Sequence, residues 1–296
     1  MLYNYNYQQQ MKKTKKKEIQ EDSESDEEVE VMKEDKSKYC FYVKTTTGSI
    51  IKSLTEVLKD IIDDINIHLT KDFMKIITMT NNKDSFIYLK LENNGNFQDY
   101  YCESPRIIGL SMVSFYKLLK SMNNSDVLTL FILKSDDNHL GIRIENKEKK
   151  KKFDKNLMLL DHNEDIIQIP SINYDISFNI PCSEFQNYCR DLSTISTELS
   201  LYTHNNSTVF SMRVEGDYAD SECFINYDDN VPIDLDSSIH IGRYSLKDLI
   251  LFSKASSLCN MMNIFIKEDS PLILVYSVAN LGMLRFVIST KVNVLN

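Results

Sequence analysis

Glycine is scarce in this chain: seven residues in 296. That leaves no glycine-rich loop to cradle a phosphate, and none of the patterns G-x-x-x-x-G-K-[ST], G-x-G-x-x-G or G-x-S-x-G occurs. Long apolar runs are absent too. None approaches the roughly 18 residues needed to cross a bilayer, and the Tyr/Asn/Gln-rich start is no signal peptide. Together these predict a soluble protein with no membrane partner. The six cysteines, at 40, 102, 182, 189, 223 and 259, form no C-x-x-C pair, and the five histidines show no metal-ligand spacing. Reduced, buried thiols in an intracellular protein are expected, with no metal and no cofactor. Acidic pairs do occur, at Asp63-Asp64, Asp136-Asp137 and Asp228-Asp229. They fall in predicted turns or helix ends, where aspartate bonds the local backbone, and no histidine or glutamate accompanies them at any recognised catalytic spacing. The chain is therefore read as a non-enzyme.

What is present is a globular composition, 42% apolar, with length enough for two domains. The first 38 residues differ from the rest. A basic block, Lys12-Lys13-Thr14-Lys15-Lys16-Lys17, precedes an acidic stretch from Glu21 to Glu30, with few aliphatics. Such a segment buries too little surface to offset ordering entropy and is read as a disordered charged tail. Its basic block suits a nuclear import signal or simply a solvated charge run.

From Tyr39 onward the chain is built twice. In Ser49–Ile62, Ile50, Leu54, Val57, Leu58 and Ile61 recur at helical spacing, and Glu184–Ile195 repeats this with Phe185, Tyr188, Cys189, Leu192 and Ile195. Ser183 is the N-cap expected for the latter helix. Leu54, Val57, Leu58, Lys59, Asp60 and Ile61 fall on Phe185, Tyr188, Cys189, Arg190, Asp191 and Leu192 at a constant offset of 131. A second pair of helices, Ser111–Met122 and Ser245–Ala255, leads in each case to a strand, with Lys120…Phe131-Ile132 matching Lys254…Phe265-Ile266 at an offset of 134. Alternating strands fill the remainder of both halves. Phe153–Ser171 shows no helical period and is read as the linker. The expected organisation is a tail at 1–38, one domain at 39–152, a connecting loop at 153–171 and a second domain at 172–296. The fold class is α+β, each half carrying two helices packed on one face of antiparallel sheet.

The polar faces of the four helices are basic: Lys52 and Lys59, Lys117 and Lys120, Arg190, and Lys247 and Lys254. Within each pair the two charges share one side of a helix. The whole chain nevertheless carries a net charge of −9, so a basic surface has to be a local one. Lysines on a surface helix commonly do no more than solvate it.

Four stretches name a family: GSIIKSLTEVLKDII (48–62), SFYKLLK (114–120), SEFQNYCRDLS (183–193) and DSPLILVYSVANLGMLRFVI (269–288). The chain resembles the sliding clamp family of proliferating cell nuclear antigen from about Phe41 to Thr290. The resemblance implies a ring of three subunits, each of two similar domains, with helices lining the hole and sheets outside. It implies sequence-independent binding of duplex DNA, with Lys52, Lys59, Lys117, Lys120, Arg190, Lys247 and Lys254 facing the duplex. Implied partners are a DNA polymerase, other proteins with clamp-binding peptides, an ATP-driven clamp loader, and further copies of the chain. Phe153–Ser171 becomes the interdomain connecting loop, beside a peptide pocket at positions matching Met79, Lys83, Phe86, Ile167, Ile169, Pro271, Val287 and Ile288. Departures are Ser53 and Thr194 where the family tends to carry a lysine and a histidine, Lys83 for a histidine and Val287 for an aromatic. Two alternatives stay open: a subunit of a heterotrimeric checkpoint-type clamp, and a non-encircling interaction scaffold of the same fold. Few alanines and glycines beside many Asn, Lys and Ile suggest an AT-rich genome, a large DNA virus or a protist. The expected location is the nucleus, or a cytoplasmic viral replication compartment.

Overall fold

The computed structural model describes residues 34–146, 148–161, 173–174, 176–204, 209–226 and 238–291. The charged tail up to residue 33 lies outside them. Ahead of the expected boundary at 38, Lys36–Lys38 form a 3-10 turn, and Lys36 pairs with Asp99.

The first half runs β1 (Tyr39–Thr45), α1 (Gly48–Leu58), β2 (Asp64–Leu69), β3 (Phe73–Met79), β4 (Ser85–Glu92), β5 (Asp99–Cys102), β6 (Arg106–Ser111), α2 (Met112–Leu119), β7 (Val127–Leu133), β8 (Asp136–Asn146) and β9 (Lys151–Met158). The second runs β10 (Ile176–Pro181), α3 (Cys182–Leu192), β11 (Glu198–His204), β12 (Val209–Glu215), β13 (Asp220–Asn226), β14 (Ile239–Ser245), α4 (Leu246–Ser253), β15 (Met261–Ile266), β16 (Leu272–Val278) and β17 (Gly282–Ile288). Apart from β5, the two halves have the same order of elements. The sheets show the repeat as well. One sheet is β5-β1-β7-β8-β9, another is β13-β12-β11-β14, and the third is the eight-stranded β10-β15-β16-β17-β4-β3-β2-β6. Its first four strands repeat β1-β7-β8-β9, and its last four are repeated by β13-β12-β11-β14. The halves are therefore joined by one antiparallel pairing, β17 on β4, from Gly282↔Leu91 to Ile288↔Ser85.

Local chemistry explains the matching helices. The short ones, α2 and α4, each begin at a serine N-cap: Ser111 Oγ accepts from Ser114 N and Ser245 Oγ from Asp248 N. Each ends with a lysine at the C-cap, Lys120 and Lys254. The expectation for α3 needs correcting. Its first residue is Cys182, Pro181 precedes it with no side-chain cap, and Ser183 lies inside the first turn. The Cys182 N–H is instead satisfied by the Asn260 carbonyl at 2.8 Å, extending the β10–β15 ladder. On the buried side, Leu54, Leu58 and Phe115 of the first half and Phe185, Cys189 and Phe252 of the second join a single core with the inward residues of all three sheets. Phe252 of α4 stacks on Phe286 of β17 with centroids 4.4 Å apart.

The linker expectation also changes. Lys151–Met158 is strand β9, hydrogen-bonded to β8 from Asn146↔Lys151 to His139↔Met158. Its sequence KKFDKNLM hides the strand because most of its side chains are exposed, as suits a sheet edge. The chain then crosses to β6, where Leu160 N donates to Gly109 O at 2.9 Å. Of the acidic pairs, Asp64 opens β2 and Asp136 opens β8, while Asp228-Asp229 lies outside the described residues.

The joint between halves depends on close backbone approach. A Cβ added at Gly282 would sit 1.9 Å from the Lys90 carbonyl oxygen, a clash no side-chain motion relieves. Gly282→Ala is expected to lower unfolding free energy by about 1–3 kcal/mol, as overpacking of a tight site does. Urea titration checks this, and an unchanged midpoint would show the joint to be loose.

Candidate nucleic-acid and partner interfaces

The four helices pack in a row: α2 against α1, α4 against α3, and the 3-10 turn Lys254–Ser257 after α4 against α1. Their apolar sides face the core, so their polar sides form one surface. All seven basic residues expected there lie on it. Lys117, Lys120, Arg190 and Lys247 are exposed, with no side-chain partner among the described residues. The other three are engaged. Lys52 Nζ donates to the Met122 carbonyl at 2.9 Å, tying α1 to the end of α2. Lys59 Nζ lies 2.6 Å from Asp60 and stands over the Tyr116 ring at 5.1 Å. Lys254 Nζ reaches the other oxygen of Asp60 at 2.7 Å.

In the sequence Asp60 stands out only as a repeat position. In the structure it is the anion that clamps a cation from each half. Hydrogen bonds from Lys254 and then Lys59 hold its carboxyl below the usual carboxylate range, against a smaller desolvation effect. Other carboxylates on this surface are Glu56, which accepts from Tyr116 Oη at 2.7 Å, Glu184 and Asp191. Asp248 beside Lys247 is buried, and desolvation raises its pKa. The surface is thus predominantly, though not uniformly, cationic on a chain that is acidic overall.

The expected peptide pocket divides between two faces of the eight-stranded sheet. Ladder register places Met79 beside Phe86, Phe86 beside Val287, and Val287 beside Ile273. These four form an apolar strip on the face away from the core, half-buried except for Val287 at 8% exposure. Ile273 is not among the positions that the family resemblance assigned to the pocket; it is the β17–β16 register that brings it beside Val287. Ile288 belongs to the opposite face: it follows Val287 along the strand, is 1% exposed, and packs in the core beside Leu272. Pro271 is half-buried at the start of β16, its carbonyl accepting from Tyr174 Oη at 2.8 Å. Lys83 is exposed in the β3–β4 turn, where its φ of 60° and its N–H bond to Thr80 O fix the reversal. Ile167 and Ile169 lie outside the described residues. Among the described residues no cluster of potential metal ligands occurs, and no helix is long and apolar enough to cross a membrane.

The Asp60 clamp yields a pH prediction. A carboxyl with a depressed folded pKa stabilises the fold above its unfolded value, near 3.8, and this is lost as pH falls through the folded value. Asp60→Asn is expected to lower Tm at neutral pH, with the difference from wild type shrinking below about pH 4. A difference that stays constant into strong acid would contradict the clamp.

Comparison with known proteins gives this geometry a family. The model of the proliferating cell nuclear antigen N-terminal domain matches residues 40–166, and that of its C-terminal domain residues 168–291. The chain is 30% identical over 258 residues to the "Probable DNA polymerase sliding clamp 1" of Paramecium bursaria Chlorella virus 1, covering 86% of this chain and 98% of that protein. It is 27% identical over 259 residues to the proliferating cell nuclear antigen of Dictyostelium discoideum, covering 85% and 99%. For that of Caenorhabditis elegans the identity is 26% over 260 residues, covering 86% and 97%. With both domain models matched in order along one duplicated α+β fold, the chain belongs to the proliferating cell nuclear antigen family of sliding clamps.

Proposed function

We propose that three copies of this chain close head to tail into a ring around duplex DNA, raising polymerase processivity and presenting a docking face to replication and repair proteins. The observation that carries this reading is the fate of two sheet edges. Inside the chain β17 pairs with β4. Their repeats, β9 and β13, are outermost strands with no such neighbour among the described residues. Matching the ladders places Phe153 at the position of Leu284 and Cys223 at that of Leu89, and Leu284 faces Leu89 at the internal joint. In the proposed joint Phe153, 53% exposed, therefore meets Cys223 of the next copy. β9 carries Lys151, Lys152 and Lys155 against one carboxylate, Asp154, which is paired with Arg143, and β13 carries Asp220 and Glu222, so the two edges are opposite in net charge as well as suited to strand pairing. A joint between two different edges is heterologous and either closes or propagates. The ring of three is the closed form that the family resemblance implies.

In such a ring the helix cations face the hole. Lys and Arg on rigid helices attract phosphate without reading base edges, so binding is sequence-independent and weakened by salt. The topological link then retains the protein while individual contacts stay weak. The role needs no chemistry from this chain. An ATP-driven loader would open the ring, and the strip of Met79, Phe86, Val287 and Ile273 would seat the apolar side chains of partner peptides. The site of action would be the nucleus, or a viral replication compartment.

Light scattering is expected to give a mass near three times 34.5 kDa for the wild type and that of a monomer for Phe153→Asp. A monomeric wild type would instead favour the heterotrimeric reading, and a trimeric Phe153→Asp would remove this edge from the joint. Lys117→Glu and Arg190→Glu are expected to weaken binding to all duplex sequences alike. Each should also flatten the salt dependence, by about one unit of slope for every phosphate no longer neutralised. Sequence-selective weakening in filter-binding titrations would contradict a backbone-reading surface.

A further inference from the structure

The internal joint is closed on its helix side by a charge pair, and the repeat places the same two positions at the proposed joint between copies. Lys254 is the C-cap of α4 and binds Asp60, just past α1, at 2.7 Å. Its counterpart at the offset of 134 is Lys120, the C-cap of α2, and both helices begin at a serine N-cap. Asp60 has its counterpart at Asp191. The buried residues Ile51, Leu54, Leu58 and Ile61 fall on Cys182, Phe185, Cys189 and Leu192 at the offset of 131, so the outward-facing Lys59-Asp60 falls on the exposed side of α3 at Arg190-Asp191.

The two pairs differ in one respect. Lys254, Asp60 and Lys59 form an ion triad within the chain. Lys120, Asp191 and Arg190 are exposed, with no side-chain partner among the described residues. Among the described residues, Ser193 N, Thr194 N and Thr194 Oγ1 bond the Asp191 backbone carbonyl, and no side chain bonds its carboxylate. An ammonium and a carboxylate thus stand unpaired where their repeats, at the closed joint, are paired.

We propose that Lys120 of one copy pairs with Asp191 of the next, Arg190 serving as the second cation, so that each joint of the ring carries a bore-side triad equivalent to Lys254–Asp60–Lys59. This rests on the ring reading and refines the part given to Lys120, which becomes a closing residue as well as a phosphate ligand. It makes ring opening sensitive to ionic strength, because both partners are exposed to solvent.

Charge reversal and exchange test the pair. Sedimentation over a range of concentrations would compare wild type, Lys120→Glu, Asp191→Lys and the double variant, with Lys71→Glu, exposed between β2 and β3, as a control for charge alone. Thermal melts would check that each variant folds. Each single reversal is expected to raise the concentration for half-dissociation about tenfold or more, because like charges then face each other. The double variant restores opposite charges and should return to within about threefold of wild type, the scale of an exposed pair. The control should not move. Single reversals that leave a trimeric wild type undisturbed would overturn the pairing. So would a double variant no better than the singles, or a control as weak as they are. A wild type monomeric at every concentration would overturn the ring of identical copies, and the pairing with it, so the two failures are distinguishable.

Discussion

A strand at the edge of a sheet carries backbone N–H and C=O groups that need partners, and this constraint organises the molecule. A duplicated chain can satisfy half of its joining edges internally. Here β17 covers β4 along seven residue pairs, with Gly282 permitting the closest approach, and the helix layer is fastened across the same line by Lys254, Asp60 and Lys59. The repeat leaves β9 and β13 as the equivalent pair, with nothing among the described residues to cover them in a single chain. Assembly by those edges is the answer most economical in new structure, since it reuses a joint the chain already contains.

Charge is distributed to serve that arrangement. The chain carries a net charge of −9, while the helix row concentrates Lys and Arg on one side. The cations have different duties. Lys52 braces α1 against the end of α2, and Lys59 and Lys254 are held by Asp60. Lys117, Lys120, Arg190 and Lys247 stand free of side-chain partners among the described residues, and in the proposed ring they are the ones best placed to meet a phosphate. Counting basic residues along the helices therefore overstates how many are available for binding.

Much of this was legible in the sequence, for physical reasons. Helical periodicity at Leu54–Ile61 and Phe185–Leu192 records burial on one side, and both segments are helical at their centres with those residues in the core. Four motifs carried the family. What escaped was information held between segments. β9 reads as linker because a solvated edge needs few apolar side chains, and the strand pattern of β6 and β14 is broken by Gly109 and Gly242. The family resemblance assigns both Val287 and Ile288 to the pocket, yet neighbouring strand residues face opposite sides and Ile288 is in the core. Asp60 gives no sign of its role, because its two partners come from different halves of the chain.

The most direct test of the account is topological. The protein would be loaded onto a nicked circular duplex, washed at moderate salt, and followed by a fluorescent label as a restriction enzyme linearises the circle. Encirclement predicts retention on the circle and rapid loss from the free ends after cutting, with retention again when those ends are blocked by a bulky adduct. Equal retention on circular and open linear DNA would contradict it, and would leave a protein that holds DNA by surface attraction alone.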